Sequence, residues 1–302
     1  VIRVLLIGIN GQVSWELQRT LNAVGEVIAV GREASSHMRI DLSQPDTIRD
    51  VIREVKPNLI VNGAAYTAVD QAETEPELAM AVNGTAPGVI AEEALRLGAG
   101  VIHYSTDYVF SGTQPIPYTE QDVPDPQNTY GKTKLAGEQA IQAVGVPHLI
   151  LRTSWVYGNR GKNFLLTMLK LARSREELRV VDDQVGAPTW SRTIAESTSY
   201  ILSQGTQNMI DFLSHNGGVY HLTATGQTSW YGFAKAIFAH DPNASEQKLK
   251  NLIAISSDQY PTPAKRPAYS SLCTQKIETA FKLVLPYWEK SLESALSANI
   301  LE

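Results

Sequence analysis

Apolar residues recur along this chain in two rhythms. Short, nearly continuous runs (VIRVLLIG, EVIAV, LIVNGA, GVIHYST and HLILRTS) are separated by stretches in which apolar positions return every three or four residues: WELQRTLNAV, PDTIRDVIREV, PELAMAVNGTAPGVIAEEALRLG and TYGKTKLAGEQAIQAV. The runs have the length and composition of strands buried on both faces, and the stretches have the period of amphipathic helices. Their alternation predicts an α/β fold with parallel strands joined by crossover helices, a Rossmann-like doubly wound sheet. Helix starts carry fitting signals: Ser43 stands before PDTIRDVI, whose first turn holds acid to complement the helix dipole.

From about Tyr157 the rhythm loosens. NFLLTMLKLA and TWSRTIAESTSYILSQ read as helices and RVVDDQVGAPTW as an extended segment closed by a proline turn. GVYHLTATG, rich in β-branched and aromatic residues, reads as a late strand that rejoins the sheet. The proline-rich DQYPTPAKRPAYSSL reads as an ordered surface loop. A chain of 302 residues suits one main domain and one smaller partner. Residues 1–156 are expected to form the doubly wound domain, joined by a strand and helix from 190–225. Residues 157–302 are expected to form mainly a smaller C-terminal α/β domain.

Charge and composition remove several classes of partner. With 31 acidic against 26 basic residues, a net charge of −5 and no strongly basic stretch, nucleic acid is not an expected partner. No run approaches the ~18 apolar residues that span a bilayer, so no membrane partner is expected and the expected location is cytoplasmic. Cys273 is the sole cysteine, which excludes an internal disulfide; a buried, inert thiol is expected. His37, His103, His148, His215, His221 and His240 show no metal-ligand spacing, and no metal site is expected.

The chemistry begins at the first strand, which runs into Gly8-Ile9-Asn10-Gly11-Gln12-Val13-Ser14 and then a helix. That context turns a glycine pattern into a dinucleotide site: Gly8 permits the tight turn, Gly11 lets backbone approach a pyrophosphate, and the helix N-terminus faces the phosphates. Ser14 stands where a third glycine is usual. After the second strand, Gly31-Arg32 lacks the acidic residue that would hold a ribose 2′-hydroxyl, and Arg32 can pair with a 2′-phosphate instead. NADPH is the expected cofactor, with NADH as the alternative. Asp41 and Leu42, after a third short strand, can bind and cover the adenine, although Asp41 also suits a turn before its helix. The segment Ala65-Tyr66-Thr67 ends a strand where the cofactor would pass.

Tyr130 and Lys134, in NTYGKTKLAGEQA, lie four residues apart on a predicted helix and so share one face. A phenol beside an ammonium is a proton donor whose pKa the cation would hold down. Thr106, ending the strand in STDYVF, can fix a substrate oxygen, while Lys132 points away.

Taken together, INGQVSWELQ, NGAAYTAVDQAE, STDYVFSG, YGKTKLAGE, LRTSWVYG, DQVGAPT and YPTPAKRP resemble the dTDP-4-dehydrorhamnose reductase family of extended short-chain dehydrogenase/reductases, in that family's order from residue 2 to about 272. The resemblance implies NAD(P)H-dependent reduction of the 4-keto group of a small-molecule nucleotide sugar, dTDP-4-dehydro-β-L-rhamnose. It makes Tyr130 the acid, Lys134 its activator and a ribose ligand, and Thr106 the third member. Asp107 and Trp155 fall on positions that contact the sugar nucleotide. Gly11, Gln12, Val13, Asp41, Leu42, Ala65, Tyr66, Thr67 and Tyr104 fall on cofactor contacts, and Gly31 on the ribose position beside Arg32. Trp155 equally suits a core position, and Arg266 either reaches the diphosphate or anchors its loop by a salt bridge.

Ser14, Tyr269 after the RP of the late loop, and Trp190-Ser191-Arg192 depart from the family pattern. Some members place acidic residues near that last position and at Glu16 to hold magnesium at a dimer contact. Arg192 would repel the ion, so monomer and homodimer both remain open and Glu16 is expected to be exposed. Two other functions fit the same scaffold: a nucleotide-sugar epimerase or dehydratase, in which hydride returns to the sugar, and a non-catalytic regulatory subunit. STDYVFSG favours the reductase over the first, and the presence of both Tyr130 and Lys134 argues against the second.

Overall fold

The computed structural model describes residues 1–32 and 38–298; His37 lies outside them. The elements run β1 (Arg3–Ile7), α1 (Gln12–Thr20), β2 (Glu26–Val30), α2 (Pro45–Val55), β3 (Leu59–Asn62), α3 (Pro76–Met80), α4 (Ala86–Leu97), β4 (Gly100–Thr106), α5 (Thr129–Val144) and β5 (His148–Thr153). There follow β6 (Val156–Tyr157), α6 (Phe164–Ala172), β7 (Glu177–Val181), β8 (Val185–Gly186), β9 (Thr189–Trp190), α7 (Ser191–Ser203), α8 (Met209–Asn216) and β10 (Gly218–His221). The chain closes with β11 (Thr228–Ser229), α9 (Trp230–Ala239), β12 (Asn251–Ile255), α10 (Gln275–Phe281) and α11 (Trp288–Ser297).

Six strands form one sheet in the order β10-β5-β4-β3-β1-β2, every pair parallel. Alternate residues of each strand face opposite ways, so β1 sends Val4 and Leu6 into one core layer and Leu5 and Ile7 into the other. The first layer packs against α1, α7, α8 and α10 through Leu17, Ile194, Leu213 and Phe281; the second packs against α2, α4 and α5 through Ile52, Ile90 and Ile141. A third cluster, around Tyr157, Phe233, Trp288 and Leu292, is built wholly from the later part of the chain. The expected late strand is β10, hydrogen-bonded beside β5, and α7 lies along α1 with the Ser199 hydroxyl donating to the Thr20 carbonyl at 2.6 Å.

Five local expectations change. Among the described residues between β2 and Asp41 there is an isolated bridge, Gly31 to Arg39, and no strand. Ser43 does not cap α2: Gln44 holds the cap position, and the Ser43 N–H and hydroxyl donate to Asp41 Oδ1 at 3.0 and 2.7 Å, a local turn. The long helix read across residues 76–98 is interrupted by a π-helical turn, Ala81–Thr85, just before Pro87 removes a backbone donor. Glu16 is buried, 4% exposed, because Arg19 (2.7 Å) and Arg192 (3.3 Å) both close on its Oε2. Cys273 is half-buried rather than buried.

Candidate active site

The chain leaves β1 and β3 on opposite sides of the point where strand order reverses, and the crevice at their C-terminal ends is where open α/β sheets bind ligands. A cleft of about 640 Å³ lies there. It brings together Gly8, Gly11, Gly31, Arg32, Asp41, Leu42, Ala65, Tyr66 and Thr67, nine of the residues the sequence assigned to a cofactor. Gly8 has φ +96°, and a Cβ on it would press on Ala64 at 3.0 Å, so both turn and closeness require glycine. Gly11 caps α1 without a side-chain hydrogen bond. The N–H groups of the first turn, including those of Gln12 and Val13, have no intrahelical partner and present a dipole suited to phosphate. A dinucleotide therefore fits these residues: glycine cradle, helix N-terminus and elongated cleft coincide.

The side chains of Gln12, Val13 and Tyr104 make their contacts outside the cleft. Gln12 Oε1 accepts from Asn163 Nδ2 at 2.9 Å, tying the cradle to the later part of the chain. The Val13 side chain packs on the first core layer, leaving its backbone for the cleft. Tyr104 does not line the cleft: its ring packs on the same core layer and its hydroxyl meets Thr198 Oγ1 at 2.8 Å. Asp41 serves as the turn residue while still lining the cleft. Partial burial works to raise its pKa, but the Ser43 hydrogen bonds and the charges of Arg32 and Arg39 bring it below the usual carboxylate range.

The catalytic candidates cluster where β4 ends and α5 begins. Asn128 caps α5, its Oδ1 accepting from the Gly131 N–H at 2.8 Å, while its Nδ2 donates to the Lys265 carbonyl at 2.8 Å. One side chain thus starts the helix that carries Tyr130 and fastens the late proline-rich loop to it. Gly131 is required for contact, since a Cβ there would collide with the Tyr108 carbonyl. Tyr130 packs edge-on against Tyr108, ring centroids 5.6 Å apart, and its hydroxyl is hydrogen-bonded to the Thr106 side chain. Thr106 Oγ1 also donates to Asp107 Oδ1 at 3.0 Å. Of the expected group of Tyr130, Lys134 and Thr106, the first and last meet directly, and Asp107, expected as a sugar-nucleotide contact, joins them through Thr106.

Lys134 departs from expectation. Its Nζ donates to the Tyr104 carbonyl at 2.5 Å and lies 3.4 Å from His103 Nε2, so both hydrogen bonds run to β4. Burial pushes the Tyr130 phenol up to about 12, with the Thr106 bond opposing and the Asp107 charge adding to the rise. The expected lowering of the phenol by the ammonium is not seen. Burial in turn brings Lys134 down to about 8, against the favourable charge of Glu138, and lifts Asp107 to about 6 despite hydrogen bonds from the Ser270 and Thr106 hydroxyls.

Arg266 grips Asp70 in a bidentate pair, Nη1 to Oδ1 at 3.0 Å and Nη2 to Oδ2 at 2.8 Å, joining the late loop to the segment after β3. The loop-anchoring reading of Arg266 is thus realised in the structure. Trp155 has φ +46°, a left-handed conformation uncommon outside glycine, and stacks on Trp230 at 3.5 Å with the planes 2° apart. Gly186 makes room, since a Cβ there would come within 2.6 Å of the Trp155 indole.

Sequence reasoning missed three residues. Asn83, in the π turn, bonds both the Tyr66 N–H (2.8 Å) and the Tyr66 carbonyl (3.0 Å) and reaches Thr133 on α5 (3.3 Å), linking the cleft wall to the helix that carries Tyr130. Its signal was the Asn-Gly and Pro87 inside a helical pattern. Asn128 was legible as a cap, but its bond to Lys265 spans 137 residues. Trp230 had no local signal.

A glycine-cradled dinucleotide cleft beside a tyrosine and lysine on one helix, over a parallel sheet, defines a protein of the short-chain dehydrogenase/reductase class. Residues 2–300 match the family described as RmlD substrate binding domain. The chain is 45% identical over 289 residues to the dTDP-4-dehydrorhamnose reductase of Burkholderia thailandensis, covering 95% of each. It is 45% identical over 295 residues to that of Escherichia coli K12, covering 97% of each. The crystal structure of dTDP-4-dehydrorhamnose reductase from Bacillus anthracis in complex with NADP superimposes with a TM-score of 0.85 at 34% identity, covering 98% of this chain and 99% of that one. The chain belongs to the dTDP-4-dehydrorhamnose reductase family.

Proposed function

We propose that this protein reduces the 4-keto group of dTDP-4-dehydro-β-L-rhamnose to give dTDP-β-L-rhamnose, with NADPH as reductant. The meeting of Tyr130 and Thr106 hydroxyls at the C-terminal end of β4, two strands from the glycine turn, carries this reading. The reduced nicotinamide supplies a hydride to the carbonyl carbon. Tyr130 gives its phenolic proton to the ketone oxygen, and because burial keeps it fully protonated at neutral pH it is in the donor form when the sugar arrives. Thr106 holds that oxygen by hydrogen bonding, and Lys134, on the same face of α5, steadies the phenolate left behind. Asp107 and Trp155 are the sugar-nucleotide contacts, and Arg32 pairs with the 2′-phosphate at the open end of the cleft. Arg266 reaches the diphosphate only by sharing its guanidinium with Asp70. Residues 1–156 with the 190–225 segment act as the cofactor part, and 157–302 mainly as the substrate part.

The test is NADPH oxidation with dTDP-4-dehydrorhamnose beside a panel of other keto-sugar nucleotides. Stoichiometric NADPH consumption is expected; product without net cofactor oxidation would mark an epimerase. In Tyr130→Phe, a kcat within ~10-fold of native, ~1.4 kcal/mol in the barrier, would remove Tyr130 from the role of acid.

A further inference from the structure

A buried hydrogen-bond chain runs from Lys134 into the sheet. Beyond the 3.4 Å contact to Lys134, His103 places Nδ1 3.1 Å from Asn62 Nδ2, and Asn62 Oδ1 accepts from the Ala64 N–H at 3.3 Å. Asn62 and His103 are direct partners in the β3–β4 register, each 1% exposed.

The direction of each bond follows from the one group that has no choice. The Ala64 N–H can only donate, so the oxygen of Asn62 faces it and the amide NH₂ faces His103. His103 Nδ1 must then accept, which in a neutral imidazole puts the proton on Nε2. Burial, with the nearby Lys134 charge adding to it, holds His103 well below its ordinary pKa, so the ring is neutral. Its Nε2–H therefore points at Lys134 Nζ. An ammonium has three donors and no lone pair to accept that hydrogen; a neutral amine has one.

We propose that Asn62 and His103 form a tautomer lock on Lys134: Asn62 fixes the His103 proton on Nε2, and that N–H sets how readily the Lys134 amine takes up a proton. To welcome the ammonium, His103 must carry its proton on Nδ1, and Asn62 must turn its oxygen away from Ala64. The other charged group acting on Lys134 is Glu138 one turn along α5, which favours the ammonium but is itself held by Arg152 (2.9 and 2.6 Å) and Ser105; Tyr130 lies one turn back on the same face of α5. Lys134 thereby exchanges protons near the working pH and can return to Tyr130 the proton that reduction removes. His103 and Asn62 are positioning residues, and the inference rests on Lys134 being the partner of Tyr130.

Nitrogen NMR of ¹⁵N-histidine-labelled enzyme, with His103 assigned by its loss in His103→Gln, reads the tautomer directly and needs no substrate. The native enzyme is expected to show the proton on Nε2. Asn62→Asp offers a carboxylate to both Ala64 and Nδ1, so the proton moves to Nδ1 and the Lys134-linked limb of the kcat/KM pH profile rises by about one unit, tenfold in proton affinity. His103→Gln, which adds no charge, raises the same limb. A native ring protonated on Nδ1 overturns the lock, as does a limb that stays put in both variants; a residue that merely supports the fold would lower rates without moving the limb. Should the tautomer be as stated while no keto-sugar is reduced, the functional reading fails and the lock stands.

Discussion

Gly63 leaves the room that Ser14 fills: a Cβ at position 63 would collide with the Ser14 hydroxyl, which is buried without a hydrogen-bond partner among the described residues. The glycine usual at the third place of the cradle lets helix approach strand. Here the bulk sits on the helix, and the missing Cβ sits on the segment after β3. Gly63→Ala should weaken NADPH binding by calorimetry at least ~10-fold and cost ~1–3 kcal/mol of stability, as overpacking does. Adding Ser14→Gly should recover most of the affinity, a coupling that a double-mutant cycle measures. Native-like binding by the single variant would show that the two positions are independent.

Arg32 is exposed at the open end of the cleft. A guanidinium there acts on a 2′-phosphate and has little to offer a 2′-hydroxyl. Arg32→Ala is expected to lower kcat/KM for NADPH by ~10-fold or more while leaving NADH within about twofold, ~0.4 kcal/mol. Equal losses with both cofactors would reassign Arg32 to a solvated surface position.

Asn128 has two separable jobs. Asn128→Ala removes the cap of α5 and should cost ~1–2 kcal/mol in urea denaturation. Asn128→Asp keeps an acceptor for the Gly131 N–H but cannot donate to the Lys265 carbonyl, so stability should hold while KM for the sugar nucleotide rises. If the aspartate variant matches native KM, the tether does not shape the substrate site.

Lys134 makes stability depend on pH in a direction opposite to that of a paired lysine. Its folded pKa of about 8 lies below the unfolded ~10.4, so between these values the native state binds fewer protons than the unfolded chain. Its penalty is therefore present in full below pH 8 and is relieved as pH rises toward 10.4. Lys134→Met should raise Tm by a few degrees at pH 7, with a gain that shrinks above pH 9, while activity is lost. A gain that is flat with pH would mean that methionine packing, rather than removal of a buried charge, is responsible.

The sheet and most of the cleft were legible because their signals are local. Buried strands announce themselves as apolar runs, Gly8 and Gly11 lie within four residues of β1, and Tyr130 and Lys134 are one turn apart. What escaped depends on partners distant in sequence. Nothing near Glu16 says that Arg192 will bury it, and nothing near Trp155 announces Trp230. The pKa of Tyr130 escaped for another reason: spacing places the Lys134 amine on the right face, but only the structure shows it turned toward the Tyr104 carbonyl. The family resemblance supplied the substrate, which no single side chain discloses.

The place of β10 bears on how the chain must be made. Its four residues, Gly218–His221, cover the flank of β5, yet they are synthesised long after the other five strands have left the ribosome. Until then β5 offers bare backbone donors and acceptors to any neighbouring chain. Expressing residues 1–156 alone should accordingly give aggregates, and the nascent protein depends on its last third arriving before its unfinished flank finds another mate.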